Sequence, residues 1–224
     1  HIKSGQQILS KLFFQDKPII GVDINQTGIK VMAVDTGHWT VTGYGSVELD
    51  PVEAQKSMEG DGQYLSENIR NLLKEKRIGK ITTNHAVLSI PTSKTYARTF
   101  SVPNKEANKL KDAIELEIEQ YIPVPIAQLY VDHQILGRDK ENTTVQICAV
   151  PRNTVDTCVS AANSAGLDVV MVEPSVNAIA RLLAFAEEGN LPTIIVAIGP
   201  ASTDIAILGG TIRVSGGVAL GGNT

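Results

Sequence analysis

Little in this sequence suits a nucleic-acid binder or a membrane span. The 224 residues carry 20 Lys and Arg against 24 Asp and Glu, a formal net charge of −4. No basic cluster is interleaved with aromatics, so no nucleic-acid partner is expected. Lys3 and Lys11 are too sparse to draw the chain to an anionic membrane surface. No apolar run approaches the roughly 18 residues that a membrane-crossing helix needs. The leading "ILSKLFF" is interrupted by Ser10 and Lys11 and lacks a small-residue cleavage pattern, so no signal peptide is read there. Cysteine is scarce. Cys148 and Cys158 sit in apolar surroundings and read as two reduced, buried thiols, which suits a cytoplasmic protein. The four histidines show no ligand spacing, so no metal site is read from them.

What is present is a chain with 42% hydrophobic residues, enough for one large domain or two modest ones. Three strands, "PIIGVDI", "GIKVMAVD" and "HWTVTGYGSVEL", are joined by tight turns at Asn25–Gly28 and "DTGH", an antiparallel meander. "DPVEAQKSMEGDG" reads as a polar loop. "QYLSENIRNLLKEKRI" reads as a helix, with Leu65, Ile69, Leu72 and Leu73 on one stripe. "HAVLSIP" reads as a buried strand.

A different alternation follows. "TYARTFSV" is a strand. "NKEANKLKDAIELEIEQYI" is a helix, with Asn104 as N-cap and Ala107, Leu110, Ile114, Ile118 and Tyr121 as inner stripe. Pro123 and Pro125 stop it. "QLYVDHQILGR" and "NTTVQICAVP" make a hairpin, and "RNTVDTCVSAANSAG" a helix closed by Gly166. This β-α-β-β-α unit occupies about 92–166. "LDVVMVEP" is then a strand, "SVNAIARLLAFAEE" a helix, and the last 34 residues a second meander.

The two meanders overlay. With "IGVDINQTGIKV" on "IIVAIGPASTDI", Val22 meets Val196, Ile24 meets Ile198, Val31 meets Ile205, Asp23 meets Ala197 and Asn25 meets Gly199. That suggests two similar domains facing each other across a cleft. A turn at a strand end can aim several backbone N–H groups at one point and so bind phosphate. Glycine permits close backbone approach, and an Asp at the strand end holds Mg²⁺, usually through water.

On these residues the chain resembles the actin-like ATPase superfamily, and within it the PilM family of type IV pilus assembly, relatives of the cell-division protein FtsA. "DINQTGIK" is similar to the family's first phosphate turn, D-I-G-S-S-S-V-K. "EIEQYIPVP" is similar to E-A-E-x-Y-I-P-F-P, and it is followed by the strand "VDHQILG". "AVPRNTV", "VEPSVNAIAR", "AIGPAST" and "LGGNT" match further tracts in the family's order, from about Pro18 to the end. The resemblance implies an α/β fold of actin-like (ribonuclease H-like) subdomains with an inserted SHS2-like β-α-β-β-α subdomain. Expected boundaries are 1–17 as a tail, 18–91 with 167–190 as the first subdomain, 92–166 as the insert, and 191–224 as the start of a second domain left incomplete. A 34-residue meander buries no core by itself.

The resemblance further implies ATP and Mg²⁺ as ligands. Asp23 would hold the metal. Asn25, Gln26, Thr27 and Lys30 would form the first phosphate turn, Gly199, Ser202 and Thr203 the second, and Gly221 with Gly222 would lie at a helix start. Three departures weaken that cleft: Asn25 stands where the family has Gly, tolerable because Asn accepts φ > 0; Ala197 stands where it has Asp; and Pro200 removes an N–H. Phosphoryl transfer needs a positioned metal and an oriented water, so at most weak ATPase activity is expected. The expected function is a cytoplasmic scaffold of pilus assembly and twitching motility, held at the inner membrane only through partners. It would dock the N-terminal cytoplasmic peptide of a PilN-like protein and face the motor ATPases. Tyr96, Tyr121 and Tyr130 are candidate contact residues. The alternatives are an active actin-like ATPase or small-molecule kinase, an FtsA-like filament former, or the cytoplasmic domain of a type II secretion protein.

Overall fold

In the computed structural model the described residues are 18–222, apart from 92, 94, 187–191, 201–202, 209–211 and 219–220. The tail 1–17 lies outside them, as does Ser202. The first meander is present: β1 (Ile20–Asn25), β2 (Gly28–Asp35) and β3 (Thr40–Glu48) pair antiparallel in sequence order. A short β4 (Ile78–Gly79) borders β3, while β5 (His85–Ile90) and β9 (Asp168–Pro174) continue the sheet parallel to β1. The order is β4-β3-β2-β1-β5-β9.

Alternation decides which face of this sheet is buried. Ile20, Val22, Ile24, Ile29, Val31, Leu88 and Ile90 point to one side. There they meet Ala54 and Met58 of α1 (Pro51–Glu59), Leu65 and Ile69 of α2 (Gln63–Asn71), and Cys158, Ala161 and Ala162 of α4 (Arg152–Ser164). The segment expected to be a polar loop is therefore helix α1. Asp50 caps it, its carboxylate accepting from the N–H groups of Val52 and Glu53, and Pro51 stands at the first helical position. Gly62, at φ 71°, turns the chain into α2, whose last residues widen into a π turn over Leu72–Lys76.

β6 (Tyr96–Pro103), β8 (Asn142–Pro151) and β7 (Leu129–Arg138) pair antiparallel, and α3 (Leu110–Tyr121) lies over them with Ile114 and Ile118 buried against Val102, Val145 and Ile147. Of the unit expected over 92–166, this two-layer part packs around its own core, whereas the last helix, α4, lies in the core of the first sheet. Two details differ from expectation. Asn104 does not cap the helix. It opens a 3₁₀ stretch and ties the unit together instead, donating to the Asp139 carbonyl at 2.9 Å and accepting from the Thr143 hydroxyl at 2.8 Å. The buried stripe ends on Ile122 rather than Tyr121, which is exposed because it falls on the outer side of the last turn. Gly166, at φ 98°, follows the end of α4 in the left-handed conformation that such a stop favours.

The second meander, β10 (Thr193–Ile198), β11 (Thr203–Leu208) and β12 (Ile212–Val218), joins the second sheet. β12 pairs with β6 through Val214 with Arg98 and Ser215 with Ala97, giving the order β10-β11-β12-β6-β8-β7. α5 (Ser175–Ala186) packs Val176 against Ile195 and Ala206.

Candidate functional site

Asp23 is the third residue from the end of β1 and lies on the face opposite the core. Directly paired residues share a face, and the pairing here assembles a polar row across five strands. Ser46 lies opposite Lys30, Lys30 opposite Asp23, Asp23 beside Ser89, and Ser89 beside Glu173. Lys30 was expected at the site. Ser89 and Glu173 were not, although Glu173 belongs to the "VEP" tract already singled out. Nothing in sequence spacing brings residue 173 to residue 23; two parallel crossovers do.

The turn itself is organised by Asn25. Its Oδ1 accepts from both the Thr27 N–H and the Thr27 hydroxyl, each at 2.9 Å, and its Nδ2 donates to Asp23 Oδ2 at 3.2 Å. This is an Asx turn closed on itself. Two Thr27 donors that a phosphate would need are therefore engaged within the turn. Asn25 does not use the left-handed backbone expected of it; Trp39 does, at φ 51°, alone among the described non-glycine residues. Gly28, at the end of the Asn25 turn, is required by close packing. A Cβ there would stand 2.8 Å from the Val47 carbonyl oxygen, so only glycine lets β2 close onto β3. Gln26 reaches toward Gln55 at 3.5 Å, at the outer limit of a hydrogen bond.

In the second turn the Gly222 N–H donates to the Gly199 carbonyl at 2.8 Å, bringing those two expected residues together. Gly221 adjoins them, and Thr203 opens β11 opposite Ile198. Gly222 lies in a turn, and a helix start after it falls outside the described residues. Ala197 pairs with Asp204 at the register position where Asp23 pairs with Lys30. The first copy sets a carboxylate opposite an ammonium. The second sets a methyl group opposite a carboxylate, so no side-chain oxygen at position 197 can orient a metal or water. Among the described residues no group of three or more His, Cys, Asp or Glu is placed to hold a metal ion.

Each candidate aromatic is already engaged. The Arg98 guanidinium stacks on Tyr121 at 3.4 Å while pairing with Glu117 at 2.6 Å. The Arg152 guanidinium lies over Tyr130 at 4.3 Å, and the Tyr130 hydroxyl donates to Asp156 at 2.9 Å. Tyr96 is half-buried against the core of the inserted unit. Cys148 and Cys158 are free thiols, pushed up to about 11 and about 12 by burial, Asp132 adding to the first. Among the described residues no helix is long and apolar enough to cross a membrane.

Comparison with known proteins agrees with this architecture. The family described as type IV pilus assembly protein PilM matches residues 21–214. The PilM–PilN type IV pilus biogenesis complex superposes with a TM-score of 0.76 at 22% identity, over 93% of this chain and 63% of that one. The cytoplasmic domain of EpsL, an inner-membrane component of the type II secretion system of Vibrio cholerae, gives 0.55 at 13% identity, over 91% and 71%. A Bacteroides thetaiotaomicron protein with actin-like ATPase fold gives 0.50 at 10%, over 91% and 70%. These likenesses show the actin-like fold. The chain spans under two thirds of the length of the pilus protein it matches.

Proposed function

Because the chain belongs to the PilM family of type IV pilus assembly proteins, we propose that it is an actin-like scaffold of the pilus machine with a degenerate nucleotide cleft. It works in the cytoplasm, held at the inner membrane through its partners. It docks the short N-terminal cytoplasmic peptide of a PilN-like membrane protein between the first sheet and the inserted unit, and links that protein to the pilus motor ATPases. The domain boundaries 18–91 with 167–190, 92–166 and 191–224 belong to this reading.

The observation that carries the degenerate cleft is the fate of its donors. The Thr27 N–H and hydroxyl are engaged by Asn25, and position 197 is a methyl group opposite Asp204. The first half of the cleft fits Mg²⁺-phosphate through Asp23, Lys30 and, two strands away, Glu173. The second half does not fit, so no hydrolytic step follows. Gln26, Gly199, Ser202, Thr203, Gly221 and Gly222 would border the phosphates of any nucleotide held from the first side.

Titration calorimetry with MgATP tests the reading. We expect weak or no binding by the wild type, a gain of at least tenfold in Ala197→Asp, and loss of any residual binding in Asp23→Ala. Tight wild-type binding with steady turnover would overturn it in favour of an active ATPase. Peptide docking is tested separately: the N-terminal cytoplasmic peptide of the PilN-like protein should bind with or without nucleotide.

A further inference from the structure

The two halves of the candidate cleft are closed in different ways. At position 197 an atom is missing, and no rearrangement of the chain restores it. In the first turn nothing is missing; a side chain of the turn occupies its donors. Asn25 and Gly28 are Cα partners, so only Gln26 and Thr27 form the loop between β1 and β2. Two-residue hairpin loops favour φ > 0 at the first or at both loop positions, because that twist matches the strands. Neither Gln26 nor Thr27 takes it, Trp39 being alone in that region among the described non-glycine residues. The Asn25 side chain closes the hairpin instead.

Its partners fix which way the amide points. The Thr27 N–H can only donate, so the amide oxygen faces it, and the same oxygen accepts the Thr27 hydroxyl. The NH₂ group is thereby turned to Asp23, 3.2 Å from Oδ2. All three contacts are part-buried, where a lost partner is replaced by water less readily than in the open. The oxygen takes the donors that a phosphate oxygen would take. The NH₂ takes the carboxylate that a metal-bound water would take. We propose that Asn25 is an autoinhibitory latch: its amide substitutes for Mg²⁺-phosphate and holds the first turn closed against nucleotide. This rests on the reading of the turn as half of a nucleotide cleft. The first half is then blocked rather than lost, and rotation of one side chain opens it.

The test is MgATP titration calorimetry on the full chain and four variants: Asn25→Ala, Asn25→Gly, Asn25→Ala with Thr27→Val, and Ala197→Asp. Asn25 lies in β1 without positive φ, so alanine keeps the backbone and removes only the amide. Asn25→Ala and Asn25→Gly are each expected to tighten binding at least tenfold. Thr27→Val deletes one released donor and is expected to return at least threefold of that gain. Thermal melts without nucleotide accompany the titrations, and Asn25→Ala is expected to melt lower than the wild type. Lower melting without tighter binding would overturn the latch and leave the amide as a brace of the hairpin. A gain with glycine but not with alanine would also overturn it, because backbone freedom would then be the cause. Ala197→Asp separates the latch from the reading it rests on. Tighter binding in Ala197→Asp but in neither single Asn25 variant would overturn the latch and leave the cleft standing. No gain in any variant would overturn both.

Discussion

The two meanders carry the same alternation and bury opposite faces. Val22, Ile24 and Val31 are 1%, 0% and 2% exposed, whereas Val196, Ile198 and Ile205, which overlay on them, are 52%, 70% and 41% exposed. In the first copy the apolar side chains meet α1, α2 and α4. In the second, α5 packs on the other side, against Ile195 and Ala206, whose counterparts in the first copy lie on the open face. A period of two identifies a strand with two distinct faces. It cannot say which face is inside, because the helices that follow make that choice. The functional residues follow the same split. Asp23 lies on an open face beside Lys30, while Ala197 lies on the side that α5 approaches.

Paired truncations put this contrast to its hardest test. Ile24→Ala removes a fully buried side chain and is expected to cost about 2–5 kcal/mol of unfolding free energy. Ile198→Ala, at the overlaid position, should change stability by no more than about 0.5 kcal/mol. Urea denaturation of both variants measures the difference. Equal losses would mean that the exposed face of β10 and β11 is covered in solution.

The glycines sharpen the comparison within a single hairpin. Gly28→Ala puts a Cβ 2.8 Å from the Val47 carbonyl oxygen, where backbone must move. An overpacking cost of about 1–3 kcal/mol is expected. Gly21→Ala on the neighbouring strand meets nothing closer than 3.9 Å and should be neutral or slightly stabilising. Melting curves of the two variants should therefore separate clearly. Asp50→Ala comes next, at about 1 kcal/mol, through loss of the α1 cap.

That last helix shows where reading the sequence stops. Strands β1 to β3, the insert's order and the stripe of α2 follow from period and turn residues alone. Helix α1 reads as a loop because Glu53, Gln55, Lys56 and Glu59 dilute its apolar face, although Asp50-Pro51 is a helix start signal. The candidate site divides in the same way. Asp23 and the turn after it are local features and visible as such. Ser89 and Glu173 reach Asp23 only through parallel pairing between strands 66 and 150 residues apart, counted from β1, and the engagement of Thr27 by Asn25 is a side-chain geometry that no spacing encodes.

The smallest effect expected concerns two hairpins with acidic turns. In β7–β8 the Asp139 carboxylate accepts the N–H groups of Asn142 and then Glu141, and these hold it below the ordinary carboxylate range. In β2–β3 the Asp35 carboxylate is lowered first by the His38 side chain and then by the Gly37 N–H. Both groups have folded values below their unfolded ones. The stability they add is therefore fully present above the unfolded carboxylate value and is lost as pH falls through the folded value. Both are solvent-exposed, so the contribution is small. They differ in what holds the carboxylate. The Asp35 carboxylate is held by a side chain, the His38 ring at 2.9 Å, as well as by backbone N–H groups. Asp139 has no such partner. Asp139→Asn should flatten the acid limb of the stability profile, and His38→Gln should reduce the share of that limb that Asp35 supplies. Thermal melts from pH 3 to 8 at low salt would separate the two, and identical profiles would show that the Asp35–His38 contact adds nothing to the hairpin.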